Sequence, residues 1–389
     1  MSGEKNQNQA ANDSSVALPE EAGRQRPKLS LFLFPFLVVL LAFGFDKLFF
    51  IGHVEDYFLT TASFLNFDHK VEMLDELEAY TKTPNHRKTL VLFGNSRTMS
   101  FSREYIEANY HDWTLFNFSV PGGTTDYFYY LMQQIQKRDI HPDVVYFAVT
   151  PQGMNAKAAV ALDEVMVFGL PPSFLLHEFR YYTLDELTNY IAKKAFLVYR
   201  YRPKLRTIEW RLSASGNEGQ HQVDNFRNML ATTKKSLEEH RGSVPYDLDI
   251  KPAQNTDAIN ENAASIWKDA FVPFQLNEGQ VFFTRESLLL AKKLGAKTGI
   301  VWPRVSEPLR RLKETEKVVA DRSTGQADTV RHVFEPRMKQ LAKDTGSVWM
   351  DFNYDSSFAI GCEYFFDASH MASGCFRPFM DRLMNEVLR

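Results

Sequence analysis

Residues 88–101 read KTLVLFGNSRTMSF. The run KTLVLFG (88–94) is apolar apart from its first two residues and ends at a glycine, with polar Asn95, Ser96 and Arg97 directly behind it. A short apolar run closed by a turn residue reads as a strand buried on both faces. Working outward, the chain repeats the alternation: a helix near Ser102–Tyr110, a strand WTLFNFSV (113–120), a helix over Asp126–Lys137 and a third strand DVVYFAVT (143–150).

The pattern resumes much later. Glu286–Leu294 is predicted helical, KTGIVW (297–302) a strand, Val330–Lys343 helical, SVWMDF (347–352) a strand and Ser373–Leu388 a closing helix. Five strands joined by right-handed crossovers predict an α/β fold: a flavodoxin-like three-layer sandwich around a five-stranded parallel sheet. Its sites lie at the carboxyl ends of the strands. The spacing places an insertion at about residues 155–280 of a domain spanning 88–389. The first part of the insertion, Phe174–Arg211, reads as helical and ends in a basic cluster of Arg200, Arg202, Lys204, Arg206 and Arg211. Such a cluster suits lipid head groups or an anionic polymer, and equally a solvated helix face. Ser213–Ser265 is polar with few large apolar residues and reads as flexible or as a solvated cap.

Ahead of the domain, residues 1–28 are rich in Asn, Gln, Ser, Glu and Ala, the composition of a disordered tail. Leu29–Phe45 is a 17-residue run without a charge, and LFFI continues it after Asp46 and Lys47. Residues 29–51 are therefore expected to be a transmembrane signal anchor in contact with the lipid bilayer. A core helix or a cleaved signal peptide also explains an apolar run, but the long polar leader and the weak small-residue site at Ala42-Phe43-Gly44 favour an uncleaved anchor. Arg24, Arg26 and Lys28 flank one side, and Asp46, Glu55 and Asp56 the other. The tail is thus expected in the cytoplasm and the main domain in the periplasm or outside the cell. Residues 52–87 read as a helical stalk, and in an exported domain Cys362 and Cys375 can form a disulfide.

Composition removes several function classes. Lys plus Arg number 45 against 48 Asp plus Glu, a net charge of −3, which provides no basic field for nucleic acid. The histidines are scattered, with no His-Glu-x-x-His and no Cys/His cluster, so no metal is expected. No phosphate-binding loop or G-x-G-x-x-G follows the first strand, and no cofactor is expected either.

Two places can carry chemistry. Ser96 sits on a strand-to-helix turn that raises its hydroxyl at the carboxyl edge of the sheet, although Asn and Ser are also preferred helix caps. YFFDASHMASG (364–374) sets Asp367 and His370 three residues apart after the last strand, so a carboxylate can orient an imidazole that takes a proton from a serine. The two loops open on one edge of the sheet, which allows the three side chains to meet.

These residues resemble the motifs of the SGNH (GDSL-type) hydrolase superfamily. The likeness lies in Gly94-Asn95-Ser96, in Asn117-Phe118-Ser119-Val120-Pro121-Gly122-Gly123, and in Asp367-Ala368-Ser369-His370 with Gly374. It covers roughly Lys88–Thr150 and Gly279–Arg389. It implies Ser96 as nucleophile, His370 as base, Asp367 as its orienter, and an oxyanion hole from the backbone N–H of Ser96 and of Gly122 or Gly123. Asn95 stands where the family has Asp. The third block, usually Gly-x-Asn-Asp, reads Thr150-Pro151-Gln152-Gly153-Met154-Asn155, which leaves Asn155 or Gln152 to complete the hole. Arg97 and Arg304, both at the active edge, are candidates for binding substrate; Arg97 can equally pair with a carboxylate.

The single anchor, the Gly-Asn-Ser-Arg block and the insertion look most like the membrane-tethered branch, which includes the D-alanyl transfer protein of teichoic acid synthesis and the alginate O-acetylation proteins. The resemblance implies a serine esterase or O-acyltransferase acting on acyl esters of an envelope glycan or polymer, beside a membrane-bound O-acyltransferase. The alternative expectation is a catalytically weak scaffold that binds such an enzyme or polymer.

Overall fold

The computed structural model describes residues 29–48, 50–51, 54–59, 63–157, 164–213, 217–244, 254–320 and 327–389. The expected tail over 1–28 lies outside the described residues. The described residues begin with helix α1 (Leu29–Leu48), and α2 (Ser63–Thr81) precedes the first strand, β1 (Lys88–Phe93). There follow α3 (Arg103–Asn109), β2 (Trp113–Asn117), α4 (Thr125–Lys137) and β3 (Val144–Ala148). The insertion holds α5 (Pro172–His177), α6 (Leu184–Ala195), α7 (Leu197–Tyr201), α8 (Leu205–Ser213), α9 (Asn217–Glu239) and α10 (Thr256–Phe271). The chain then returns through α11 (Glu278–Lys293), β4 (Lys297–Trp302), α12 (Glu307–Thr315), a hairpin of β5 (Lys317–Ala320) and β6 (Ala327–Thr329), α13 (Val330–Asp344), β7 (Val348–Asp351) and α14 (Phe376–Val387).

The fold is α/β, built on a five-stranded sheet of order β2-β1-β3-β4-β7 in which every pairing is parallel. Alternate residues of each strand serve two cores. Val91 and Phe93 of β1 join a cluster with Leu131 of α4 and Leu288 of α11, while Leu90 and Leu92 join one with Ile106 of α3 and Met380 of α14. The strands are therefore covered on both faces, which is why they read as unbroken apolar runs. Phe93 and Phe147 stack across β1 and β3 at 5.2 Å between centroids.

Three readings of the sequence need correction. The segment after the anchor is helical, but α2 is not a free stalk. Phe67, Met73, Leu74 and Leu77 are buried in the same core as β1, so its spacing is that of an amphipathic helix packed on the domain. The polar stretch read as flexible or as a solvated cap loses the first alternative: it holds α9 and α10, whose Val223, Phe226, Leu237, Trp267 and Phe271 are buried while Met229 is exposed. A sparse apolar stripe is sufficient when each member finds a partner. Finally, α11 begins well before Glu286, because the side chain of Asn277 caps it by accepting from the N–H groups of Gly279 and Gln280.

Among the described residues no helix is long and apolar enough to cross a membrane. In α1 the described side chains start at Leu33, and every residue from 33 to 45 is exposed. Its last turn is tied to the insertion: Asp46 accepts from the N–H groups of Leu197 and Val198, each at 2.7 Å, and Lys47 Nζ donates to the Ala195 carbonyl at 2.5 Å.

Candidate active site

Ser96 follows β1 on a tight turn. Gly94 is required there, because a Cβ would come within 2.1 Å of Thr98 Oγ1 and 2.8 Å of Ser119 Oγ. The turn is held by Asn95, whose Oδ1 accepts from the Arg97 N–H (3.1 Å) and whose Nδ2 donates to Thr150 Oγ1 (3.3 Å). An amide serves in both directions, so Asn in place of Asp keeps the turn by accepting at Oδ1 and donates to the loop after β3.

Ser96 Oγ lies 2.8 Å from His370 Nε2, and His370 Nδ1 lies 2.7 Å from Asp367 Oδ2. The carboxylate also accepts at Oδ1 from the N–H groups of Ser369 (2.7 Å) and His370 (2.8 Å). Burial would raise the Asp367 carboxyl, but the hydrogen bond from His370, its charge whenever the ring takes a second proton, and those two N–H groups outweigh it. They hold the group well below the usual carboxylate range. An ionised carboxylate only accepts, so Nδ1 carries the proton, Nε2 is the acceptor, and the Ser96 hydroxyl donates to it.

The loop bearing Asp367 and His370 is fixed from several directions. Cys362 and Cys375 are joined by a disulfide with a Cα separation of 5.5 Å, and Phe365 pairs with Met371 in an isolated bridge. The Ala368 N–H donates to Asn262 of α10, the Ala368 carbonyl accepts from the Ser306 N–H, and the Ser369 carbonyl accepts from Arg97 Nε. Arg97 is 6 % exposed. Burial pulls its pKa down to about 10, with the Asp367 carboxylate opposing, so it stays charged at neutral pH.

Two cavities meet at the serine. The smaller, about 200 Å³, is bordered by Ser96, Arg97, Gly122, Gln152 and His370 among others, and the larger, about 450 Å³, has an apolar wall of Met99, Val244, Phe366, Met371 and Phe376. Donors dominate the small one. Among the described residues the N–H groups of Ser96 and Gly122 bond to nothing within the protein, and Arg97 Nη1 is buried without a partner. The Gly123 N–H is already given to the Val120 carbonyl at 3.1 Å. The role of Gly123 is close approach: a Cβ there would sit 2.2 Å from the Gly94 carbonyl oxygen.

Arg97 Nη2 donates to Gln152 Oε1 at 2.9 Å. A guanidinium has no acceptor, so the Gln152 oxygen must face it, and the amide NH₂ is left without a partner among the described residues. Asn155 plays no such part. It is 2 % exposed, its Nδ2 donates to the carbonyls of Ala270 and Pro273, and its Oδ1 accepts from the N–H groups of Lys157 and Gln275. With both amide ends satisfied it clamps the insertion and has no donor to offer a substrate. Arg304 is likewise turned away: it donates to the Phe352 carbonyl at 2.6 Å and pairs with Glu363, bordering neither cavity.

The insertion contributes to the site in a way the sequence did not signal. Lys70 Nζ donates to the carbonyls of Asn117 and Gly242, each at 2.6 Å, and the Val244 N–H donates to the Met99 carbonyl at 2.8 Å. Gly242 has φ +79° and lies against Asn117 and Lys70, where a Cβ would not fit. This bracing brings Val244 to the wall of the larger cavity. A lysine in register with Phe67, Met73, Leu74 and Leu77 on the buried side of α2 was the available clue.

No curated protein and no solved structure matches this chain. The family described as "Protein of unknown function (DUF1574)" matches residues 28–387, from the start of α1 to the end of α14, and the chain belongs to that family.

Proposed function

We propose that this protein is a membrane-anchored serine esterase or O-acyltransferase of SGNH type, acting on acyl esters of a cell-envelope glycan or polymer. The observation that carries the reading is the relay from Ser96 through His370 to Asp367, with distances of 2.8 and 2.7 Å. The strand order, with the loops after β1 and β3 opening at the crossover point, supports the flavodoxin-like three-layer reading that this superfamily shares.

In the proposed reaction the Ser96 proton passes to His370 Nε2 as Oγ bonds to the acyl carbonyl carbon. Negative charge gathers on the carbonyl oxygen, facing the N–H groups of Ser96 and Gly122 and the Gln152 amide. Collapse breaks the bond to the alcohol, which leaves with the proton from His370, and the acyl group stays on Ser96. Water or an acceptor hydroxyl then gives its proton to His370 and takes the acyl group, and the proton returns to Ser96. Hydrolysis and transfer differ only in that acceptor. The proposed source of acyl groups for transfer is a membrane-bound O-acyltransferase.

The anchor belongs to the same proposal. The described part of α1 is not by itself long and apolar enough to cross a membrane; the anchor is proposed from the sequence, where the charge-free run Leu29–Phe45 is continued by LFFI (48–51) after Asp46 and Lys47. The main domain then faces the periplasm or cell exterior.

Labelling by a serine-directed fluorophosphonate tests the chemistry: the parent should react and Ser96→Ala should not. Equal labelling of both would remove Ser96 from the mechanism. The departure at the third block, with Asn155 saturated by backbone, favours a second reading, a weak catalyst serving as a scaffold for an acyltransferase or polymer. Under that reading Ser96→Ala and His370→Ala fully complement a deletion strain; failure to complement excludes it.

A further inference from the structure

Outside α1, exposed apolar side chains concentrate in α5 to α8. Leu176, Phe179, Leu184, Ile191, Leu205 and Leu212 are 61–81 % exposed, and Trp210 is 50 % exposed. Single exposed leucines are ordinary, but a concentration within one short segment is not. The pattern is also directional. Leu184 and Ile191 are seven residues apart on α6, as are Leu205 and Leu212 on α8, so each pair shares a helix face. The opposite side of α6 is settled: Tyr190 is buried and its hydroxyl donates to the Leu170 carbonyl at 2.9 Å.

Charge follows the same segment. Residues 176–212 hold eight Lys and Arg against four Asp and Glu; Lys193 and Arg211 among the bases and Glu178 among the acids are buried, which leaves six bases against three acids. Arg180, Lys204 and Arg206 are exposed beside the apolar residues. An apolar face interleaved with basic side chains is the composition of a surface that lies in the interfacial layer of an anionic membrane.

Its position is set by α1. The Asp46 side chain caps the first turn of α7, Lys47 reaches the last residue of α6, and Phe43 meets Phe196 edge-on at 6.1 Å. The end of the apolar helix is thus bonded to the junction of α6 and α7. If α1 leaves the bilayer at Asp46, that junction lies at the bilayer surface.

We infer that the outer face of α5 to α8 is a second membrane contact, lying in the head-group layer of the leaflet from which α1 emerges, with its basic residues on anionic lipid. The inference rests on the proposed anchor. It adds a function: a face laid on the lipid adds to the bonds between α1 and the α6–α7 junction in resisting tilt, and Ser96 is held at one height above the lipid.

Trp210 provides the probe. Full-length protein is reconstituted into vesicles of phosphatidylcholine and phosphatidylglycerol, with or without lipid brominated high on the acyl chains, and flotation is scored alongside tryptophan emission. Trp210 is one of five tryptophans, so brominated lipid should remove roughly a fifth of the parent's emission. The loss should be absent in Trp210→Phe. It should also be absent in Leu184→Asp/Ile191→Asp, which alters two side chains already in solvent and should still float and melt as the parent does. Flotation with equal quenching in parent and Trp210→Phe would overturn the second contact and leave the anchor standing. Failure of the parent to float would overturn the anchor and this contact with it, while the fluorophosphonate result on Ser96 stands apart from both.

Discussion

Replacing Gln152 separates chemistry from stability. Arg97 Nη2 holds Gln152 Oε1 at 2.9 Å, so the free amide NH₂ is the third donor in a cavity that otherwise offers the N–H groups of Ser96 and Gly122. Gln152→Ala deletes that donor. Removing one preorganised donor to an oxyanion costs about 10²–10³ in kcat, or about 2.7–4 kcal/mol. Gln152→Glu keeps the length and gives Arg97 an anionic partner in a site where burial has already pulled its pKa to about 10. That change should hold or raise the melting temperature. It also replaces a donor by a negative charge where the reaction develops negative charge, so turnover should fall below that of Gln152→Ala. The expected order is parent, Ala, Glu for kcat, and Glu at or above parent for stability. The assay is hydrolysis of a short-chain p-nitrophenyl ester with kcat and KM resolved, beside a thermal melt; the loss should fall mainly in kcat. Gln152→Ala turning over at the parent rate while Ser96→Ala is inactive, or Gln152→Glu outperforming Gln152→Ala, would refute the assignment.

Two further outcomes follow from the packing. Burial raises the Asp351 carboxyl to about 6, and its Oδ2 has no partner. Between its ordinary pKa and about 6 the folded state binds the extra proton, so stability should fall as pH rises through that window, by about 3 kcal/mol in all. Asp351→Asn keeps an acceptor for the N–H groups of Asn353 and Tyr354 and should flatten this dependence in melts across the range; an unchanged slope would show that another group is responsible. The Cys362–Cys375 disulfide closes a loop with a sequence separation of 13 around Asp367 and His370, worth about 3 kcal/mol of chain entropy. Cys362→Ser/Cys375→Ser should lower the melting temperature and the rate of fluorophosphonate labelling together, and labelling at the parent rate would show that the remaining contacts hold the loop unaided.

The reach of the sequence differs between elements. β1, β2, β3, β4 and β7 were legible because strands covered on both faces must be apolar throughout, and that requirement is written in consecutive residues. Ser96, Asp367 and His370 were legible for a related reason: each lies within a few residues of a strand end or on one turn, so local spacing carries the geometry. α9 and α10 were not, because their burial depends on a few side chains finding partners elsewhere in the fold. The choice between Gln152 and Asn155 was also hidden. Both are amides just past β3, and only their surroundings, a guanidinium for one and four backbone groups for the other, separate a free donor from a saturated clamp.

By itself the sequence determined the alternation of strands and helices, the uncharged run at Leu29–Phe45 and the three residues of the relay, since all are set by side-chain character over short spans. Tertiary structure decided that α2 packs on the domain, that Arg304 turns to Phe352 and Glu363, that Gly123 supplies space while the Gly122 N–H remains unpaired, and that an insertion residue, Val244, lines the cavity beside the serine. Each of these depends on which groups already hold a donor, an acceptor or a volume. That occupancy is a property of the packed chain and is absent from any local stretch of it.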